Sequence, residues 1–193
     1  MEKMILATRP VRGKDEAVQT KLKAVQPKIL GIPLVRYQVQ SLRHVWVPCA
    51  YVVYRWQAGG GGSLRPARSG RIAAVYDANE DHASIYELMS EGDLPLLTQP
   101  ARPDEITVLP RSHGPEDAAA RSEEAIRFQY LMKVLRIAHA DLYQQQYTEF
   151  CREAWQLSLE YKNKHFTKYA YLDDFGITSV QARGLGQSLS SRT

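Results

Sequence analysis

Three oxygen-bearing side chains at alternating positions, Asp77, Asn79 and Asp81, have the spacing that comes closest to a metal-binding motif. The pattern D-x-N-x-D opens an EF-hand loop, in which such side chains bind calcium. That loop also requires a glycine at its sixth position and an acid at its twelfth, where this chain has His82 and Leu88. Asp and Asn side chains also hydrogen-bond the backbone in tight turns. We therefore expect a turn here, with these three residues as the metal candidate, and we expect no cofactor.

Motifs of catalysis are incomplete in this sequence. Asp174–Gly176 has the letters of the kinase D-F-G motif, but the glycine-rich loop, the VAIK lysine and the HRD segment of kinases are missing. The five histidines show no HExxH spacing. Cys49 and Cys151 form no CxxC pair, and we expect them to pack as small apolar residues, although a Cys–His dyad needs no local motif. We expect no enzyme, with a hydrolase of unrecognised motif as an alternative.

Aromatic and basic side chains are the candidates for a binding surface. The candidate binding residues are Tyr51, Tyr54, Trp56, Trp155, Tyr161, Arg36 and Arg43. Aromatic rings on a sheet can stack bases while nearby cations hold phosphates. The burial of most of these rings in a core is the competing interpretation, because strands rich in aromatic residues fit half-buried surfaces.

The charge distribution is asymmetric along the chain. The net charge is +4, but residues 1–75 contain thirteen Lys or Arg against three Asp or Glu, and residues 76–193 contain twelve against eighteen. The basic half can attract nucleic acid, or it can face an acidic half of the same chain or of a second copy. The basic residues on which the nucleic-acid interpretation depends are interleaved with Tyr37 and Trp46; they are Lys14, Lys21, Lys23, Lys28, Arg36 and Arg43. A basic nucleic-acid-binding protein is therefore an alternative function, although no RNP-type motif is present.

A hairpin from Trp46 to Asp77 positions the first group of aromatic residues. Residues 51–56 alternate between two faces of a strand, and residues 72–76 alternate again after a glycine-rich loop at 58–70. The loop lacks the GK[ST] ending of a phosphate-binding loop. After a turn at Asp77–His82, residues 83–88 alternate as a further strand.

Apolar spacing and helix-breaking residues predict the other elements of the first half and of the connector. Apolar spacing predicts a helix over residues 14–26, and residues 35–40 alternate as a strand that ends in a turn marked by His44 and Pro48. Five prolines make residues 90–117 a connector with one extended piece at Ile106–Leu109. A second helix is predicted from residue 116 to residue 140.

Residues 141–165 can be read as a helix or as a hairpin. Trp155, Leu157, Leu159 and Tyr161 alternate strictly with polar residues, and a polar turn around Asn163 precedes another extended segment. Apolar residues at every second position are typical of a strand. We therefore predict a second hairpin.

The order of elements suggests an internal repeat of an αβββ unit. Ala74–Asn79 (AVYDAN) and Ala170–Gly176 (AYLDDFG) each follow an aromatic strand. This pattern resembles PepSY-like domains, over residues 14–88 and 117–177. The resemblance implies a binding or regulatory module rather than a catalyst. The glycine that these domains carry after the aspartate has a counterpart at Gly176 but none after Asp77, and such domains are typically found outside the cytoplasm.

Together these patterns predict an α+β protein built from two αβββ half-repeats, each a helix packed on antiparallel sheet. The predicted boundaries are residues 1–90 for the basic N-terminal unit, 91–116 for the connector, 117–180 for the C-terminal unit and 181–193 for a tail. The predicted function is a non-enzymatic binding, assembly or regulatory module that contacts a protein or a second copy through sheet faces or edges. With no membrane-spanning run and no signal peptide in the sequence, we expect a cytoplasmic location.

Overall fold

The computed structural model describes residues 3–26, 28–29, 32–33, 37–59, 66–87, 96–102 and 106–173. These residues form a mixed α+β fold, which confirms the predicted class. The strands are β1 (Met4–Thr8), β2 (Lys28–Ile29), β3 (Ile32–Pro33), β4 (Gln38–Ala58), β5 (Arg68–Asp77), β6 (His82–Glu87), β7 (Leu96–Pro100), β8 (Thr107–Val108), β9 (Asp141–Tyr161) and β10 (Lys164–Tyr171). The helices are α1 (Lys14–Val25) and α2 (Pro115–Ala125), and a π-helical segment, Ile126–Met132, continues α2. No helix within the described ranges is long and apolar enough to cross a membrane.

One large sheet contains eight of these strands. Hydrogen-bonded neighbours follow the order β6-β5-β4-β9-β1-β7, while β10 pairs with β9 and β8 pairs with β4. Strands β2 and β3 form a separate pair. The chain divides into two compact units, and the two longest strands, β4 and β9, contribute residues to both.

The first unit comprises Met1–Val47, Pro95–Pro110 and Cys151–Asp174. Helix α1 buries Ala17 and Val18 against one face of the β9–β10 hairpin, where Leu157 and Leu159 point inward. These leucines share a face because alternate residues of a strand project to the same side. The narrow apolar stripe of α1 is therefore enough to cover one hairpin.

The second unit comprises Pro48–Leu94, Arg111–Phe150 and Phe175–Thr193. Its central hairpin pairs β4 with β5 from Cys49↔Asp77 to Ala58↔Arg68, which confirms the hairpin predicted around the glycine-rich loop. The alternate residues Ala50, Val52, Tyr54 and Trp56 project into one core. Helix α2 and the π-helical segment cover that core with the buried Ala118, Ile126 and Leu131, among others.

Helices and hairpins are paired across the sequence rather than along it. Helix α1, from the N-terminal half, packs on β10 from the C-terminal half. Helix α2, from the C-terminal half, packs on β5 and β6 from the N-terminal half. Each compact unit therefore contains a helix and a hairpin that are far apart in the sequence.

The turn predicted at His44 and Pro48 is wrong, because β4 runs unbroken through both residues. Proline lacks the N–H that a strand ladder requires, so it is tolerated only where that donor is not needed. On β4, pairing with β8 covers Val45 and Trp46, and pairing with β5 begins at Cys49. Pro48 lies in the gap between these two partners and interrupts neither ladder.

Two further predictions need correction. The second helix does not reach residue 140: its π-helical segment ends at Met132, and Arg136 then has a left-handed backbone conformation with φ of 57°. The connector contains an unpredicted strand, β7, which pairs antiparallel with β1 from Met4↔Pro100 to Thr8↔Leu96. By contrast, the strand after Asp77, the extended piece near Thr107 and the second hairpin are confirmed.

Candidate functional site

Three aromatic rings meet at the closed end of the β9–β10 hairpin in the first unit. The Tyr37 ring lies 6.0 Å from the ring of Tyr161 and 6.0 Å from that of Phe166, measured between centroids. Both contacts are edge-to-face, with interplanar angles of 72° and 74°. Phe166 is 39% exposed, whereas Tyr37 and Tyr161 are half-buried. The cluster therefore joins the core at its base and presents ring surface to solvent.

A two-residue turn, Lys162–Asn163, closes this hairpin between Tyr161 and Lys164. The φ angles of Lys162 and Asn163 are 49° and 61°, as a type I′ turn requires at both central positions. Asn tolerates this left-handed region, but lysine gains nothing there to offset a cost of about 1–2 kcal/mol. Lys162 is therefore held in a strained backbone conformation at the end of the hairpin.

Two lysines flank the aromatic cluster. The Nζ of Lys162 lies 5.3 Å from the Tyr161 ring centroid, and Lys164 is the cross-strand partner of Tyr161 on the same face. Both lysines are exposed, and among the described residues no carboxylate lies within ion-pair distance of either. Glu160 projects to the opposite face, where its Oε2 accepts a hydrogen bond from Gln40 at 2.7 Å. We name Tyr37, Tyr161, Phe166, Lys162 and Lys164 the aromatic–basic surface.

Trp155 lies further along the same face of β9 and is held by neighbouring side chains. The His44 ring stacks on it at 4.6 Å between centroids, with planes only 3° apart, and Lys14 Nζ lies 4.3 Å from its centroid. His44 Nε2 in turn lies 2.7 Å from Glu153 Oε1. The Trp155 ring also packs against the core beneath α1. These contacts make Trp155 a fixed part of the wall beside the aromatic–basic surface.

The three aromatic candidates of the first hairpin lie in the core of the second unit or on the buried opposite face of β4. Tyr51, Tyr54 and Trp56 are only 4%, 3% and 5% exposed. Burial, reinforced by the negative charge of Glu123, raises the pKa of Tyr54 to about 12, and its hydroxyl donates a hydrogen bond to the Ala119 carbonyl at 3.0 Å. Their side chains are therefore packed within the protein.

The two arginine candidates have different outcomes. Arg43 is exposed, and its Nη2 donates a hydrogen bond to Thr107 Oγ1 at 2.9 Å, which links β4 to β8. Arg36 lies outside the described residues. Neither the metal-like motif nor the D-F-G letters add to this surface, since the former is in the second unit and Asp174–Gly176 are also outside the described residues.

The metal candidate forms the turn that the sequence predicted. Asp77 Oδ1 accepts hydrogen bonds from the backbone N–H groups of Asn79 and Glu80, at 2.9 and 3.1 Å. Asp81, at φ of 46°, accepts one bond from the Tyr76 hydroxyl at 2.8 Å and one from Arg121 at 3.2 Å. Donors of the protein itself therefore occupy these oxygens. Within the described ranges, no three His, Cys, Asp or Glu side chains are grouped as metal ligands.

These contacts shift the pKa values of the groups around Asp81. The hydrogen bond from Tyr76, helped by the charge of Arg121, lowers the pKa of the Asp81 carboxyl. Burial and the same hydrogen bond raise the pKa of Tyr76, and the negative charge of Asp81 raises that of Arg121. Because the folded-state pKa of Asp81 is depressed, its stabilising effect is present above the unfolded value and is lost as the pH falls through the folded value.

A shallow groove of about 440 Å³ lies beside this turn in the second unit, between the start of β6 and the helical segment. Arg121, Phe128 and Lys133 line it, and Phe128 is 54% exposed. Arg121 is bonded to both Asp81 and Glu124, so opposite charges in the groove neutralise each other. This groove offers mixed charges and one exposed ring, whereas Lys162 and Lys164 have no carboxylate partner in the part of the chain that the structure describes.

The sequence-based candidates included Tyr161 but missed Lys162, Lys164 and Phe166. A signal for them was present: Lys162 and Lys164 flank the asparagine of a turn that the alternation of β9 already located. Phe166 lies two residues after Lys164, and side chains two residues apart on a strand share a face. Lys164 and Phe166 therefore had to lie on the same face as Tyr161. Tyr37 was named from the sequence among the basic residues, but its place beside Tyr161 and Phe166 is visible only in the structure, because these contacts span more than 120 residues of sequence.

Comparisons of the chain with family models, with curated proteins and with solved structures find no match.

Proposed function

We propose that this chain is a non-enzymatic binding module that holds an anionic partner on its aromatic–basic surface. One observation carries the proposal: two exposed lysines, Lys162 and Lys164, flank a partly exposed aromatic cluster and have no carboxylate partner among the described residues. Uncompensated cations raise the local concentration of anions and speed their encounter with the surface. The adjacent rings add contact area and fix orientation.

The position of these residues on a rigid element supports binding. Cross-strand pairing continues from Lys164↔Tyr161 to Tyr171↔Ala154, and α1 covers the inner part of the same face. Sites built on strands are more precise than sites on loops, since the backbone of each residue is fixed by its ladder. The strained Lys162 is consistent with a functional role, because strain of this kind clusters at binding and catalytic sites.

The two αβββ half-repeats predicted from the sequence belong to the same proposal. We infer that an ancestral helix–hairpin unit was duplicated and that the two copies exchanged their helices. This explains why α1 packs on β10 while α2 packs on β5 and β6. The resemblance to PepSY-like domains agrees with a binding or regulatory role.

Heparin affinity chromatography tests the proposal with a polyanion that has no bases. Removing two positive charges with Lys162→Gln/Lys164→Gln is expected to lower the salt concentration at which the protein elutes. The matched control, Lys3→Gln/Lys133→Gln, removes two exposed lysines elsewhere and leaves the aromatic–basic surface intact. Equal shifts for the two double variants would show that heparin responds to net charge alone, and the proposal would then be wrong.

A further inference from the structure

Resting on this proposed function, we infer that the anionic partner is a single-stranded nucleic acid whose bases stack on the Tyr37–Tyr161–Phe166 cluster. In an edge-to-face pair only one ring uses its face, so the two contacts of Tyr37 cover at most two of the six ring faces. Phe166 is the ring with the most surface in solvent. Flat apolar surface beside cations is the combination that single-strand binding proteins use for bases and phosphates.

The arrangement of charge and rings separates this partner from other anions. Lys164 projects beside Tyr161 on the same face, and Lys162 extends from the turn next to that ring. A single strand presents a phosphate at each nucleotide together with a base that can leave its stack, so it matches both kinds of group at once. Bases inside a duplex are stacked on one another and cannot reach a ring on a sheet face. An acidic peptide or an anionic membrane can also bind the lysines, and aromatic rings can enter a membrane interface, but neither partner places a planar ring beside each charge.

The backbone of Lys162 adds a separate argument. Asn or Gly is strongly preferred at the first central position of a type I′ turn, and this chain places a lysine there. Replacing Lys162 by Asn relieves the strain and removes the cation. The variant Lys162→Asn is therefore expected to be at least as stable as the wild type and to bind the nucleic acid more weakly, a combination that a purely structural lysine would not produce.

Fluorescence anisotropy with labelled oligo(dT) of about 15 nucleotides, close to the length of one single-strand site, provides the test. Phe166→Ala is expected to weaken binding roughly 5- to 150-fold, which corresponds to the loss of one stacked base. Phe166→Leu, which keeps apolar volume but loses the flat ring, should weaken binding in the same direction while the fold measured by circular dichroism is retained. Lys162→Gln/Lys164→Gln should lower the slope of log K against log salt by about 1.4, the share of two single-strand phosphates.

Heparin, duplex DNA and phosphatidylglycerol vesicles distinguish the possible failures. Tighter binding of oligo(dT) than of duplex, together with a heparin affinity that Phe166→Leu leaves unchanged, supports the inference. Heparin binding that depends on Lys162 and Lys164, without oligo(dT) binding or with equal affinity of the Phe166 variants for oligo(dT), overturns the inference and leaves the proposed function standing. Preference for vesicles or duplex also overturns it. Heparin binding that does not depend on Lys162 and Lys164 overturns both the inference and the proposed function.

Discussion

Removing the charge of Asp173 is expected to destabilise the first unit strongly. The side chains of Arg152 and Asp173 are only 5% and 2% exposed, and two hydrogen bonds of 2.9 and 2.6 Å join the guanidinium to both carboxylate oxygens. Thr8, also buried, donates its hydroxyl to the same carboxylate at 2.6 Å. Asp173→Asn would remove the negative charge that Arg152 contacts in the interior, and removing one partner of a buried pair costs about 3–5 kcal/mol.

Urea unfolding followed by circular dichroism measures this loss, with a surface pair as the matched control. Arg127 and Glu123 form an ion pair of the same chemistry on α2 and the segment that follows it, but both side chains are 41% exposed. Glu123→Gln is therefore expected to cost only about 0.3–0.5 kcal/mol. If Asp173→Asn lowers the unfolding free energy by no more than Glu123→Gln does, the reasoning from burial is wrong.

Two further variants separate the ion pair from the hydrogen bond. Thr8→Val keeps the shape of the side chain and removes one donor to a charged group, so it should cost about 1.5–3 kcal/mol. Arg152→Met/Asp173→Leu removes both charges, and because paired buried charges often contribute little net stability, it should cost less than Asp173→Asn alone. A double variant less stable than the single variant would contradict this account of the pair.

Two other predictions concern the second unit. A Cβ on Gly70 would lie 2.8 Å from Nε1 of Trp56, so Gly70→Ala should cost about 1–3 kcal/mol in urea unfolding, and adding Trp56→Phe should recover part of the loss. A Gly70→Ala loss that Trp56→Phe leaves unchanged would exclude this clash as the cause. Tyr76→Phe should raise the pKa of Asp81, measured by carboxyl NMR titration, and Arg121→Gln should raise it less, since the hydrogen bond from Tyr76 is the larger cause of the shift. The loss of stability that Asp81 causes in acid would then be smaller and would end at a higher pH, because the unfolded-state pKa near which it begins is unchanged; an unchanged Asp81 titration in Tyr76→Phe would contradict the assignment.

The local elements could be predicted because their signals lie within a few residues of one another. Strict alternation from Trp155 to Tyr161 located β9, and the stripe from Ala17 to Val25 with Pro27 behind it located α1. The Asp77 turn followed from the tendency of Asp side chains to accept hydrogen bonds from the backbone N–H groups two and three residues further on. In each case the residues that make the stabilising contact are close in sequence, so the local sequence pattern predicts the element.

Two of the corrected predictions, the turn at Pro48 and the missing strand β7, depend on partners that are distant in sequence. Pro48 reads as a turn residue unless one knows that β8 and β5 leave a gap between them on β4. Strand β7 is too short and too close to proline to be recognised without its partner β1. The helix–hairpin pairing is of the same kind: amphipathic stripes show that α1 and α2 must cover something, but not which hairpin each one covers.

The candidate site shows why functional residues were harder to find than core residues. Tyr51, Tyr54 and Trp56 were candidates because aromatic residues are frequent in this segment. Buried strands are often rich in aromatic residues, and all three of these side chains are buried. Phe166, by contrast, is a single ring between His165 and Thr167, and only its place two residues after Lys164 indicates which strand face it occupies.

The stability of the β9–β10 hairpin does not explain why a lysine occupies position 162 of its turn. In a two-residue turn with positive φ at both positions, Asn163 satisfies the local rule and Lys162 breaks it. Residues that break a local rule without a compensating contact are expected at functional sites, because stability alone would replace them. Among the described residues, Lys162 contacts the ring of Tyr161, and that contact does not require a lysine in the left-handed region. A positive charge beside partly exposed rings is the property that Lys162 supplies, and the proposed anionic partner would depend on that property.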